Sequence, residues 1–180
     1  MEDKLLIWKL RHGDKDSLRS IYEKYRDDLV RIAAGLSNDV STAEDIVQDI
    51  FLMLVRSADK YRITRSLRGY LTSCVTNKVR NLNRATRAQK SVSLDNVPPV
   101  VSNLKAPDLC VVCEEEFQHL YKAMTQLPYE QKEVLILRIQ GKMKFKKIAK
   151  LQGVSIKTTL SRYNYGLNKL RSLLNSEAER

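Results

Sequence analysis

Residues 145–165 read FKKIAKLQGVSIKTTLSRYNY. Ile148 and Ala149, then Gly153, then Val154 and Ser155, have the spacing of two helices joined by a tight turn. A small residue is needed where the helices cross, a glycine relaxes the turn, and a hydroxyl caps the second helix. This is the pattern of a helix-turn-helix, whose second helix enters the major groove with its first turns nearest the base edges. On that helix Lys157, Thr158, Leu160, Ser161, Arg162, Asn164 and Tyr165 are the candidates to face DNA. Thr159 and Tyr163 are expected to face inward. A helical hairpin that merely packs, with its lysines on the wet side, has the same spacing.

The stretch just upstream adds charge to that choice. Residues 142–150, KMKFKKIAK, hold five lysines in nine positions. They are read as the first helix of the motif, anchored by Phe145, Ile148 and Ala149. Lys146, Lys147 and their neighbours are divided between phosphate and solvent. Such lysines supply affinity and registration, and little sequence choice.

The whole chain has 180 residues and a net charge of +11. Residues 127–180 carry 12 basic against 4 acidic residues and residues 1–90 carry 18 against 12, while residues 91–126 carry 2 against 5. Two basic lobes flanking an acidic middle point to a polyanionic partner, with nucleic acid the leading candidate. Only four prolines and six glycines punctuate the sequence, which favours an all-α chain over a turn-rich sheet protein. The expected architecture is two small helical domains, residues 1–90 and 110–180, joined by a flexible linker over 91–109. That linker, within KSVSLDNVPPVVSNLKAPDL, has three of the four prolines and no helical period.

Helical spacing recurs through the first domain. Leu5, Leu6, Trp8 and Leu10 make a short helix that Gly13 stops. Leu18, Ile21, Tyr22, Tyr25, Leu29, Ile32, Ala33 and Leu36 form one apolar stripe. A third helix is expected to start at STAED, with Ser41 and Glu44 as a capping box. Opposite its apolar stripe lie Asp45, Gln48, Asp49 and Leu52, a mixed acidic and apolar face. DNA would repel that face and a protein partner would not.

From Lys60 to Lys90 there is no acid and there are nine basic residues. A helix from about Leu67 to Ala88 has Leu71, Val75, Val79 and Leu82 on its apolar face. Asn77, Arg80, Asn81 and Arg84 fall on a nearly opposite one. An amide among arginines can bond a base while its neighbours hold phosphates. Upstream, Tyr61 and Tyr70 are interleaved with Arg62, Arg65 and Arg68, which suits unstacked, single-stranded nucleic acid. A solvated basic helix with two half-buried tyrosines is the alternative.

In sum of motifs the chain resembles a bacterial RNA polymerase sigma factor of the sigma-70 family, in its small extracytoplasmic-function (ECF) branch. AEDIVQDIFLMLV resembles region 2.2, YLTSCVTNKVRNLNR the region that melts and reads the −10 element, and the stretch from LPYEQKEVLIL to LNKLRSLL region 4. The resemblance covers nearly the whole chain in the family's order. It implies a non-catalytic subunit that binds core RNA polymerase, through the β′ clamp and the β subunit, and directs it to promoter DNA. Asp45, Gln48, Asp49 and Leu52 would dock on the β′ clamp. Tyr61, Arg62, Arg65, Asn77, Arg80 and Arg84 would serve the −10 element. Lys146, Lys147, Lys157, Thr158, Leu160, Ser161, Arg162, Asn164 and Tyr165 would serve the −35 element. An anti-sigma factor is an expected further partner. Lys146 and Lys147 stand where the family commonly has acids, Leu160 where a basic residue is frequent, and Gln152 where an apolar core residue is usual.

Other classes find less support. Cys110 and Cys113, with His119, do not complete a tetrahedral zinc site, and on a helix they share an apolar face with Phe117. Three cysteines suit a reducing cytoplasm. No run approaches the roughly 20 apolar residues of a membrane span, so no membrane insertion is expected. With two histidines and no phosphate-cradling glycine loop, neither an enzyme nor a bound cofactor is expected. A helix-turn-helix regulator acting on duplex DNA without polymerase is the competing reading.

Overall fold

Periodic apolar spacing becomes helix throughout the computed structural model. It describes residues 2–58, 66–92 and 119–178, with the backbone alone at 87, 89–92, 177 and 178. Among the described residues there are helices, turns and no strand. The chain divides into two compact units, residues 1–100 and 101–180.

The first unit contains α1 (Glu2–Arg11), α2 (Lys15–Ser37), α3 (Val40–Arg56) and α4 (Leu67–Val92). Helix α2 is the centre, packing against each of the other three. Its stripe of Ile21, Tyr25, Leu29, Ile32, Ala33 and Leu36 is buried. Ala43, Ile46, Val47, Ile50, Phe51 and Leu54 of α3 close on it, with Leu67, Leu71, Val75 and Val79 of α4. Each fully buried aliphatic side chain contributes about 1.5–3 kcal/mol by leaving water. Leu82, expected on the same apolar face, is 39% exposed instead. Packing along α4 ends at Val79, and no described residue from 81 to 86 is buried.

The helix boundaries are set by side chains. Asp14 caps α2, its Oδ1 accepting from the Asp16 amide at 3.1 Å, after Gly13 has turned the chain at φ +81°. Asn38 ends α2 in the left-handed region at φ 62°, its amide donating to the Ala34 carbonyl at 2.8 Å. Asp39 then caps α3 by accepting from the Thr42 amide at 2.8 Å and from the Thr42 hydroxyl. The expected capping box of Ser41 and Glu44 is therefore not used. The aspartate two residues earlier offers a carboxylate to the Thr42 amide and hydroxyl instead, so the helix begins at Val40. Glu44 instead accepts from Arg26 Nη2 at 3.1 Å. Helix α1 is tied down by Lys24, which reaches Glu2 (2.7 Å) and Asp3 (2.9 Å), and by the Tyr25 hydroxyl donating to Asp3 (2.7 Å).

The second unit contains α5, helical over 119–125, α6 (Tyr129–Ile139), α7 (Phe145–Gln152) and α8 (Ile156–Ala178). Between α5 and α6 the chain leaves the helix at 126–128, and Pro128 precedes α6 at φ −54°, ψ 139°. Ala123, Leu127, Leu135 and Leu170 form one core cluster, joined by Tyr163 and Leu167. Gly166 is the crossing point of α6 and α8: a Cβ there would lie 3.2 Å from both Gln131 Cβ and Leu135 Cδ1. Cys110, Cys113 and most of the expected linker, 93–109, lie outside the described residues, so their proposed roles have no structural counterpart.

Candidate nucleic-acid interface and docking face

Helix α3 buries one face and leaves the other to solvent, as its spacing requires. Asp45, Gln48, Asp49 and Leu52 are all exposed and follow one another at intervals of three, one and three along the outer side. Leu52 is 50% exposed and Val55 extends the apolar strip. Asp49 Oδ2 accepts from Lys78 Nζ of α4 at 3.0 Å. That pair was not legible in the sequence, since nothing local links residue 49 to residue 78.

Along α4, Asn77, Asn81 and Arg84 are exposed and Arg80 is half-buried. The four share the side of the helix away from Leu71, Val75 and Val79. Arg68, grouped in the sequence with the nucleic-acid arginines, instead gives an Nη2 to Asp28 Oδ2 at 2.8 Å and fastens α4 to α2. Tyr70 is half-buried, and burial, together with the neighbouring Cys74, pushes its phenol up to about 12. Tyr61, Arg62 and Arg65 lie outside the described residues.

The helix-turn-helix forms with α7 and α8. Gly153 takes φ 68°, ψ 30°, and the Val154 amide reaches back to Ala149 O at 3.0 Å. A side chain at 153 would meet nothing within 4 Å. The glycine is therefore required by backbone conformation and not by space. Ser155 Oγ accepts from the Thr158 amide at 3.0 Å, the expected cap. Thr159 is fully buried, and Tyr163 packs edge-on against Phe145 with ring centroids 5.2 Å apart, both as expected. The Arg138 guanidinium lies over the Phe145 ring, 4.8 Å from its centroid.

Lys157, Thr158, Leu160, Ser161, Asn164 and Tyr165 are exposed on α8, Tyr165 by 67%. Arg162 is half-buried on the flank of the same helix. Of the five clustered lysines, Lys142, Lys144, Lys146 and Lys150 are exposed and Lys147 is half-buried. Lys142, at φ 50°, and Lys144, which precedes α7, stand outside the helix, so the helix starts at Phe145, partway through the lysine-rich stretch.

Beneath this surface lies a polar cluster that pattern reading missed. Lys132 and Glu133 are 4% and 1% exposed, although EQKE reads as a solvated first turn. Gln152 donates from Nε2 to Glu133 Oε2 (2.8 Å) and to Glu130 O (3.1 Å), and accepts at Oε1 from Arg162 Nη1 (2.8 Å). The departure at 152 is thus satisfied by partners on α6 and α8, which an amide requires when taken out of water.

Burial lowers Lys132 from the ordinary lysine value of 10.5 to about 8. Between those two values the unfolded chain binds the proton that the folded chain has lost, so stability rises with pH across the window. Below about 8 the desolvation cost is present in full. Lys132→Met is expected to stabilise the second unit at pH 7 by on the order of 1–3 kcal/mol. Thermal melts of the two proteins should converge by pH 10.5; a constant gap would contradict the assignment.

Among the described residues no group of histidine, cysteine and carboxylate side chains could hold a metal ion. No described helix is long and apolar enough to cross a membrane.

The sigma-70 region 2 family matches residues 21–89, the stretch spanning α2 to the far part of α4. The ECF RNA polymerase sigma factor SigW of Bacillus subtilis is 22% identical over 178 residues, covering 93% of this chain and 94% of SigW. Two solved structures share the fold. CnrH in complex with the cytosolic domain of CnrY superposes with a TM-score of 0.70 at 20% identity, over 98% of this chain and 99% of CnrH. The sigma factor RpoE in complex with the anti-sigma factor NepR, from Bartonella quintana, gives 0.69 at 23% identity, over 90% and 98%.

Proposed function

We propose that the chain is a member of the ECF branch of the sigma-70 family, whose region 2 matches residues 21–89, and that it is a dissociable initiation subunit of RNA polymerase. It binds core enzyme, brings it to promoters by recognising −35 and −10 elements, and promotes DNA melting. The observation that carries this reading is the pairing of two unlike faces in the first unit. Asp45, Gln48, Asp49 and Leu52 offer α3 to a protein, while the acid-free stretch through α4 offers Asn77, Arg80 and Arg84 to nucleic acid. An ordinary duplex-DNA regulator has no use for the first of these.

In this mechanism the α3 face docks on the β′ clamp, with Leu52 supplying apolar area and the acids meeting basic partners. Tyr61 stacks on an unpaired base of the −10 element, Asn77 bonds a neighbouring base edge, and Arg62, Arg65, Arg80 and Arg84 hold phosphates. The second unit lays α8 in the major groove of the −35 element, with Leu160, Ser161, Asn164 and Tyr165 toward the bases. The domain roles follow: residues 1–90 for core and −10, 91–109 as linker, 110–180 for −35. The chain works in the cytoplasm with polymerase. CnrH is seen with the cytosolic domain of CnrY and RpoE with the anti-sigma factor NepR, which supports control of this chain by an anti-sigma factor of its own.

The test is run-off transcription with purified core polymerase on sheared genomic templates. Promoter-dependent transcripts are expected; none from any template would sink the proposal. Lys146→Ala should weaken binding about equally across sequences and lower the salt slope by about 1. A changed base preference in that variant would assign Lys146 to readout instead.

A further inference from the structure

Gln152 closes α7 and is bonded to both neighbouring helices. Its amide nitrogen faces an acceptor pair on α6, the buried Glu133 carboxylate (2.8 Å) and the Glu130 carbonyl (3.1 Å). Its amide oxygen faces a donor on α8, Arg162 Nη1 (2.8 Å). Only a side chain with a donor at one oriented terminus and an acceptor beside it satisfies both at once. An apolar residue at 152 would leave Arg162 without this anchor.

Arg162 itself sits between two sides of α8. Thr159, Tyr163 and Gly166 face the core, while Ser161 and Tyr165 face outward. A side chain on the flank reaches the wall of a groove before its floor, where the phosphates are. With Nη1 engaged by Gln152, the Nε–Nη2 edge presents two parallel donors, the geometry that matches a phosphate. A long side chain gives up rotamer freedom when it binds, and one already held has lost it in advance.

We propose that Gln152 is a positioning residue that sets the Arg162 guanidinium to clamp one backbone phosphate beside the groove entered by α8. This rests on the reading of α8 as the helix that meets duplex DNA. It assigns a function to one of the residues at which the chain departs from the family pattern, and predicts registration by a pre-aimed arginine.

The experiment uses the full chain reconstituted with core polymerase. The probe is a duplex promoter fragment recovered by the wild-type holoenzyme from sheared genomic DNA, titrated at several salt concentrations. Arg162→Ala should bind about tenfold more weakly and lower the salt slope by about 1, with the preferred −35 sequence unchanged. Gln152→Met should cost about fivefold when Arg162 is present and less than about twofold in the Arg162→Ala background. The exchange Glu133→Gln with Gln152→Glu reverses donor and acceptor between the two side chains, keeps an acceptor for Arg162 and gives up only the bond to the Glu130 carbonyl. It should return binding to within about twofold of wild type. An equal cost of Gln152→Met in both backgrounds would reduce Gln152 to a packing residue and overturn the proposal. So would a folded exchange variant, judged by its melting temperature, that still binds weakly. A shifted −35 preference in Arg162→Ala would overturn the phosphate assignment. If the wild-type holoenzyme recovers no promoter fragment, the underlying reading fails, a result distinct from all of these.

Discussion

Asp49→Arg is expected to weaken binding to core RNA polymerase by about a hundredfold while leaving the first unit folded. Reversing a charge at the centre of the proposed docking face replaces an attraction with a repulsion, and losing one partner of a buried charge pair at an interface costs about 2–5 kcal/mol. The fold should tolerate the change, because Asp49 is exposed and its pair with Lys78 has both side chains substantially in water (57% and 43%). Pairs of that kind contribute about 0.2–1 kcal/mol. Lys78→Ala is the control: it removes the intramolecular partner of Asp49 and should leave co-purification with β′ unimpaired. Unchanged co-purification of Asp49→Arg, with a native circular dichroism spectrum, would refute the docking assignment.

Gly166→Val is expected to destabilise the second unit severely and to weaken its proposed −35 binding, with the first unit still folded. The Cβ alone would stand 3.2 Å from side-chain atoms of Gln131 and Leu135, tighter than ordinary contact, and two further methyls have to enter the same crossing. Overpacking of this kind costs about 1–3 kcal/mol. A core as small as this one supplies only about 3–5 kcal/mol, so roughly half of the unit's stability is removed. Gly166→Ala separates the causes, since its gain of about 1 kcal/mol in helix propensity offsets the milder crowding and should leave melting nearly unchanged. Hydrogen exchange resolved by segment would report both results; protection of α6 and α8 retained in the valine variant would contradict the packing account.

How much of this was legible beforehand follows from the range of each interaction. The stripes of α2, α3 and the first half of α4 are local and periodic, so their buried faces could be read directly save at Tyr22, which is 39% exposed; Gly153, Ser155, Thr159 and Tyr163 were equally legible. Helix starts were less secure, because Asp39 and Ser41 both offer oxygen caps within two residues and only geometry decides between them. Leu82 failed for a different reason: periodicity says which side a residue faces, not whether a neighbouring helix extends that far. The links between Asp49 and Lys78, Arg68 and Asp28, and Gln152 and Arg162 join residues 10 to 40 positions apart. Charge pattern alone assigns such residues to solvent or ligand. Lys132 and Glu133 show the same limit, since a lysine and a glutamate in sequence read as surface until tertiary packing covers them.

Asn38 and Asp39, between α2 and α3, carry a consequence for how this protein can change. Two residues, one left-handed and one extended, are the whole connection, so the connection works as an angular gauge. Each residue added to or removed from α3 ahead of its docking face turns that face by about 100°. One inserted position would swing Asp45 and Asp49 toward the core and carry apolar residues out toward solvent. Variation here must come by exchange of side chains and not by change of length, which makes the loop's residue count as binding a constraint as the identity of any residue on the face it aims.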